Sequence, residues 1–407
     1  MPGFSPSEWL QDKLMVLSNR NVNVLLITAF GSQLRSSKNL HVVKIPSLSF
    51  KDFLIEKKQS GNSTQRFSFY EVVSMTVGRL FDLCFRIAAG SESQGRWSWS
   101  LSSVPVLAWY IAKNKTAKIL ATGGPSSAHL AAALAGRLFS RRAILEFQDP
   151  FIGVEMALST RVIKVLQKIE NFLIRNSEKT VYVTNVASNR ARSRHPQLKD
   201  KVTSVYPGAW NYLKELPPTS TTISLDSPIE FLHLGTLYGN RNLNTFFEAV
   251  DEFNLQNKAL SNRLKILNLG SMYGDFVGNY ELRPDFHQLK ELPRLAALKR
   301  AQLASFLLLV QHSDLRSEET IPFKFYDYLN LGSPIFALHE NDELANLVRN
   351  SGGYAARLNS KSEILIALRQ AIARFETNRN KHLEFTKFEI NPSDSFDQLF
   401  EPHVPSS

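Results

Sequence analysis

The residues best suited to chemistry lie in one short stretch. It runs Ser317-Glu318-Glu319-Thr320-Ile321-Pro322-Phe323-Lys324-Phe325-Tyr326-Asp327-Tyr328 and closes with Gly332-Ser333-Pro334. Thr320 is placed to cap a helix whose first turn accepts Pro322, and the pattern predicts that helix over 323–331. Gly332 falls where a helix C-terminus favours a left-handed residue, and Pro334 blocks continuation. An acidic loop therefore leads into a short helix whose first N–H groups, with Lys324 beside them, would form an anion site. Glu319 precedes the helix and Asp327 lies within it, eight positions later. Ionised carboxylates only accept hydrogen bonds, so two around an amide-rich pocket suit a ligand with several hydroxyls and a phosphate. The same residues also read as a solvated loop before an ordinary capped helix.

Such a site needs a frame, and the chain supplies alternating apolar strands and amphipathic helices, the pattern of α/β proteins with parallel sheets. In the first half, strands are expected at 22–28, 42–45, 117–121, 143–147 and 180–184, with helices at 126–139 and 160–176. Residues 91–103, rich in Ser and Trp, read as a loop; Trp97 and Trp99 suit either stacking on a sugar or lipid, or a core. Residues 213–227 carry Pro217-Pro218 among Ser and Thr and read as a linker. The alternation then restarts with strands at 229–234, 264–269, 306–310 and 335–338, and helices at 243–253, 292–302, 323–331 and 361–375. Two Rossmann-like domains facing each other across a cleft are expected. They comprise residues 1–212 and 228–380, with a tail over 381–407 returning to the first. In open parallel sheets, ligands bind outside the C-terminal strand ends.

Composition narrows the function classes. The 407 residues are 43% hydrophobic and 21% charged, which suits globular cores. The net charge of +11 is uneven: residues 1–200 hold 27 basic and 13 acidic side chains, and the remainder is slightly acidic. Cys84 is the sole cysteine, which excludes an internal disulfide, a CxxC pair and a cysteine zinc cage; within Phe81-Asp82-Leu83-Cys84-Phe85 it is expected to be buried. No run reaches the ~18 to 20 apolar residues of a membrane span. The start of the chain lacks a signal-peptide pattern, so a cytoplasmic protein is expected. There is no Asp-x-Asp, HExxH, Walker or GxSxG motif, and no metal site or bound cofactor is expected.

Several segments, taken in order, resemble glycosyltransferases of the GT-B fold, in particular family 4-like members (glycosyl transferases group 1). Glu319-x7-Asp327 with Pro322-Phe323-Lys324-Phe325-Tyr326-Asp327-Tyr328 and Gly332-Ser333-Pro334 resembles their Glu-x7-Glu region. His233-Leu234-Gly235-Thr236-Leu237-Tyr238-Gly239-Asn240-Arg241 resembles the strand and loop opening their donor domain. Gly123-Gly124-Pro125-Ser126-Ser127-Ala128-His129, then Glu146-Phe147-Gln148-Asp149-Pro150, is similar to their acceptor-domain pattern. Val181-Tyr182-Val183-Thr184-Asn185 and Val205-Tyr206-Pro207-Gly208 resemble its close.

The resemblance implies transfer of a sugar from a nucleotide-sugar co-substrate to a saccharide or lipid-linked acceptor. Retention of configuration and a place in polysaccharide biosynthesis come with it. Glu319 would bind donor-sugar hydroxyls, and Asp327 the nucleotide ribose. Arg241 and Lys324 would hold the diphosphate, with Gly235 and Thr236 letting backbone approach it. Gly270 and Ser271 would line the base pocket, and Ile321 would belong to the donor site. Gly124, Ser126, His129 and Asp149 would form the acceptor side, although His129 also reads as a structural residue on the first turn of its helix.

Three departures stand out. Asp327 replaces the usual Glu, and Ala29-Phe30-Gly31-Ser32-Gln33 lacks the usual paired glycines. The family's catalytic His has no equivalent, leaving Asp149 nearest, either as the group that orients or deprotonates the acceptor hydroxyl or as a turn residue. A GT-B sugar epimerase is the enzymatic alternative. The basic run Arg190-Ala191-Arg192-Ser193-Arg194 raises nucleic-acid binding, but no recognition module accompanies it. An anionic membrane surface at the basic half is the preferred reading of that charge, with a peripheral location at the inner face of the cell membrane.

Overall fold

A computed structural model describes residues 5–29, 34–48, 53–54, 57, 67–89, 97–123, 126–153, 159–214, 227–260, 263–377 and 390–401. The chain groups into two compact units, one of residues 3–206 with 393–407 and one of 207–392. No helix among the described residues is long and apolar enough to cross a membrane.

The second unit is built on a six-stranded parallel sheet. Along the sheet the strands run Phe286–Leu289, Leu264–Leu269, Ile229–Leu234, Phe306–Val310, Ile335–His339 and Tyr354–Arg357. Numbered in chain order within this unit, that is 3-2-1-4-5-6, the doubly wound order of dinucleotide-binding folds. Phe306–Val310 and Ile335–His339 are buried along their whole length, as central strands covered on both faces must be. Phe231, Phe306, Phe336 and Phe246 meet face-on and edge-on in the core beneath them, with ring centroids 4.6–5.7 Å apart.

On the same face the register turns polar at the C-terminal ends. His233 pairs with Asn268 and Asn268 with Gln288 across three neighbouring strands. His233 Nδ1 donates to Asn268 Oδ1 at 2.7 Å, and Asn268 Nδ2 donates to Gln288 Oε1 at 2.9 Å. This row closes the apolar core with satisfied hydrogen bonds and starts the polar surface where loops emerge.

The first unit has a four-stranded parallel sheet, Leu120–Gly123, Ala143–Phe147, Ser177–Tyr182 and Val202–Ser204 in that order, and a separate parallel pair, Val24–Ala29 with Leu40–Ile45. The helix Thr160–Asn176 turns Leu166, Glu170 and Leu173 inward. Glu170 is buried but fully used: Arg194 donates twice (2.7 and 2.8 Å), Tyr182 Oη donates at 2.9 Å, and His195 Nε2 lies 2.8 Å away. The C-terminal helix Pro392–Phe400 is held in this unit by Lys179, which donates to the carbonyls of Gln398 and Glu401, and by an Arg20–Asp397 ion pair.

Two expectations fail here. Residues 97–103 are not a loop: a helix runs Trp99–Lys113, with Pro105 inside it. Trp97 is buried and stacks on Phe85 at 4.7 Å, so the Trp-rich segment belongs to the core. Cys84 is exposed, because the helix Phe69–Ala89 turns Phe81 and Phe85 inward and Cys84 outward.

Candidate functional site

The sheet order reverses between Ile229–Leu234 and Phe306–Val310, and the ladder is short there. It pairs only Phe231 with Phe306 and Leu232 with Leu307, whereas the ladder on the other side of Ile229–Leu234 runs to Leu234↔Leu269. The two strands therefore part before their C-terminal ends. The buried Tyr328 fills the opening: its hydroxyl accepts from Leu234 N–H at 3.0 Å and donates toward Leu308 O at 3.4 Å. Such a parting at a topological switch point is where ligands enter doubly wound sheets.

The loops around it are pinned. Leu237–Tyr238 and Met272–Tyr273 form a two-residue parallel ladder that ties the loops of neighbouring strands together. Tyr238-Gly239-Asn240-Arg241 is a tight turn closed by Arg241 N–H to Tyr238 O (2.9 Å) and Tyr238 N–H to Arg241 O (3.0 Å), with Gly239 at φ +54° in the position that demands glycine. Arg241 is thus fixed by a turn three residues before the helix Asn244–Gln256.

Two cations converge on this opening. The Arg241 side chain is half-buried beside Tyr238, its Nε enclosed without a hydrogen-bond partner. Burial lowers its pKa, countered only in part by Tyr238, Tyr328 and Asp314. The Lys324 side chain lies on Gly235: a Cβ there would sit 2.8 Å from Lys324 Cε and closer still to the ammonium. Gly235, at φ +119°, is therefore required by conformation, and a side chain there would displace the flexible end of Lys324. Gly270 is required likewise, since a side chain would strike the Gly235 backbone.

The field of these cations reaches two histidines. Burial first, then Lys324 and Arg241, hold His233 well below its ordinary pKa and neutral. Burial, then Arg241 and Arg316, lower His312 to about 4. His312 is not singled out by sequence; it follows Phe306–Val310 and touches the tight turn, with Nε2 3.0 Å from Tyr238 Oη and Nδ1 3.2 Å from Asn240 Oδ1. Nothing local in the sequence marks it, because its partners lie 72 and 74 positions away.

The acidic loop is a 3-10 turn, Leu315–Glu319, rigidly held. Gln311 Nε2 donates to Thr320 O (2.9 Å), and Asn341 Nδ2 donates to the carbonyls of Glu318 and Thr320 (3.2 Å each). Glu319 and Ile321 are buried within this frame. Thr320 does not cap a helix: it is extended, and its hydroxyl donates to Arg316 O. The helix that follows is only Lys324–Leu329, and the N–H groups of Phe325 and Tyr326 already serve Pro322 O and Phe323 O. Those two N–H groups are therefore not open to an anion, and the charge near the site comes from the side chains of Arg241 and Lys324. Asp327 is buried and paired with Arg294 at 2.6 Å, so any ribose contact would be made by a carboxylate that Arg294 already engages. Ser271 donates to Glu291, and its carbonyl accepts from Leu237 N–H, while Thr236 sits between the fixed Gly235 and Leu237.

The residues expected on the acceptor side lie in the first unit. Gly124 is outside the described residues, as are Phe30 to Gln33. Ser126 opens the helix Ser126–Leu138 and is buried. His129 is fully enclosed, stacked on Phe147 at 4.0 Å with Nε2 2.7 Å from Glu146 O, a core position. Asp149 is exposed after Ala143–Phe147. In the basic run, Arg194 donates to buried Glu170, Arg192 Nε donates to Val202 O at 2.9 Å, and all three arginines are half-buried.

The chain matches no known family profile and no curated protein by sequence. Among solved structures it is similar to trehalose-6-phosphate synthase OtsA (TM-score 0.58, 10% identity, 98% of this chain and 92% of that one). It is also similar to an α,α-trehalose-phosphate synthase (UDP-forming) from Burkholderia xenovorans in complex with glucose-6-phosphate (TM-score 0.55, 9% identity, 95% and 94% covered). A third is Anabaena Alr3699/HepE in complex with UDP (TM-score 0.53, 11% identity, 94% and 96% covered). The chain has the GT-B fold, α/β with parallel sheets.

Proposed function

We propose that the protein is a glycosyltransferase that takes its sugar from a nucleoside-diphosphate sugar bound at the switch point of the second unit. The observation that carries this reading is the half-buried Arg241 guanidinium with an unsatisfied Nε, which together with Lys324 on Gly235 acts on the buried His233, near where strands 229–234 and 306–310 part. An isolated cation drawn out of water is costly unless an anion completes it, and a diphosphate with its charge-assisted bonds does so. Departure of the nucleoside diphosphate develops negative charge on the β-phosphate, and cations already fixed there stabilise it without reorganisation.

UDP-forming and UDP-bound proteins among the structural neighbours support uridine as the donor base and a saccharide or sugar phosphate as acceptor. Glu319 is the residue proposed to hold the donor sugar, with Asp327, Gly270, Ser271 and Thr236 around the nucleotide, and Asp149 on the acceptor side. Retention of configuration and polysaccharide assembly follow from the family 4 resemblance. The test is release of UDP from a panel of UDP-sugars by the purified protein. Release that is lost in Arg241→Gln and Glu319→Gln supports the assignment, and release unaffected by both substitutions removes it.

A further inference from the structure

The helix Phe69–Ala89 has an outer face that none of the described residues of its own unit covers. It starts at a reciprocal cap: Ser68 N–H donates to Glu71 Oε2 (2.6 Å) and Glu71 N–H donates to Ser68 Oγ (3.2 Å). Twenty-one residues make it about 31 Å long. Its inner face packs through Met75, Gly78 and the Phe81–Phe85–Trp97 cluster, and Gly78 lets it approach Leu48. On the outer face Phe69, Val73, Val77, Leu80, Leu83 and Ile87 recur every three or four residues, from 43% to 86% exposed. Isolated exposed apolar residues are ordinary, whereas a stripe five turns long is not.

The charges are sorted about the same axis. Both acids of the helix are turned toward protein: Glu71 is held by Ser68 and by Lys57 at 3.4 Å, and Asp82 accepts from Ser98 N–H and Oγ at 2.7 and 2.8 Å. The exposed charged residues of the helix are Arg79 and Arg86, one face and two turns apart. Apolar side chains with only basic companions match an anionic lipid surface. The excess of 27 basic over 13 acidic residues in the first 200 acts in the same direction at longer range. A second copy of the same face would bring Arg79 and Arg86 against their own kind, which disfavours a symmetric dimer.

We infer that the outer face of Phe69–Ala89 docks on an anionic bilayer, with the helix axis in the plane of the interface. Binding here is independent of the donor site, because a plain vesicle offers neither donor nor acceptor.

The chain carries its own probe. Cys84 is the sole cysteine, and it is exposed on this helix. The full chain labelled there with an environment-sensitive fluorophore is mixed with vesicles of pure phosphatidylcholine or of phosphatidylcholine with phosphatidylglycerol. The expected result is a blue shift and co-sedimentation with the anionic vesicles, at least tenfold weaker with neutral ones. Arg79→Gln and Arg86→Gln should each weaken binding about fivefold. Leu80→Asp with Ile87→Asp should abolish it while circular dichroism stays unchanged, since both side chains are exposed. Absence of a shift and of co-sedimentation with anionic vesicles overturns the proposal. So does binding that survives the double aspartate variant, and so does a lipid-free blue shift accompanied by a dimer in light scattering, which gives the face to a second copy.

Discussion

Replacing Arg241 by Gln should separate stability from binding. In the free protein the guanidinium is half-buried, its Nε has no hydrogen-bond partner, and burial lowers its pKa. Of the groups that favour its charge, Tyr238, Tyr328 and Asp314, the one in ring contact is Tyr238, 5.9 Å from the guanidinium carbon and worth about 0.5–1 kcal/mol at most. Removing that ring interaction and relieving the unsatisfied donor are of similar size and opposite sign, so Arg241→Gln should leave unfolding free energy within about 1 kcal/mol of wild type. The backbone pairing of Arg241 with Tyr238 does not depend on the side chain and should hold the turn in place. Binding should respond differently. Removing a bidentate guanidinium–phosphate pair from an enclosed site costs about 2–3 kcal/mol, a 30- to 150-fold rise in Kd for UDP. Arg241→Lys should recover part of this, because a point charge keeps attraction without the fork. Calorimetric titration with UDP, together with urea denaturation of the same samples, gives both numbers. A variant that loses several kcal/mol of stability yet binds UDP as tightly as wild type would refute the reasoning, since it would make Arg241 a structural cation.

Three further outcomes follow from the same geometry. Gly235→Ala should cost about 1–3 kcal/mol in denaturant melts and weaken UDP at least tenfold, because the position has φ +119° and the new methyl displaces Lys324. Tyr328→Phe should lose about 1–3 kcal/mol by stranding the buried Leu234 N–H, with far-ultraviolet dichroism unchanged. Acid should destabilise the second unit between pH 6.5 and about 4, where unfolded histidines bind protons and His233, His312 and His339 do not. Stability there rises with pH by up to about 1.4 kcal/mol per pH unit for each such histidine, and is fully present above their unfolded pKa. His339→Leu, removing a buried ring with neither nitrogen hydrogen-bonded, should flatten the melting-temperature profile over that range; an unchanged slope rejects the assignment.

The strands of the second unit were legible because fully buried parallel strands are unbroken apolar runs: Ile229–Leu234, Leu264–Leu269 and Phe306–Val310 carry the expected bounds. The helix Thr160–Asn176 was legible from its amphipathic spacing. The Trp-rich segment at 97–103 was not, because Ser and Trp have weak local preferences and packing against Phe85 decides their conformation. Cys84 went astray for a related reason, since an apolar neighbourhood in sequence does not say which helix face is covered. Within the site, the family resemblance marked Gly235 and Gly270; at Gly270 close backbone approach leaves no room for Cβ, and at Gly235 the positive φ and the Lys324 side chain favour glycine. Thr320 misled as a cap because the chain enters a 3-10 turn before the helix. His312, Tyr328 and Arg294 act through partners far off in sequence, and such pairings exist only once the sheet has formed.

The most direct measurement is the melting temperature of the wild-type chain against a panel of nucleotides and nucleotide sugars. A ligand at 100 times its Kd stabilises by about 2.7 kcal/mol, which for a unit of this size raises the melting temperature by about 5–10 °C. UDP and one or more UDP-sugars should give such a rise, with UMP giving less because it lacks the β-phosphate that Arg241 and Lys324 are proposed to hold. No stabilisation by any nucleoside diphosphate or nucleotide sugar would contradict the placement of a donor at the switch point.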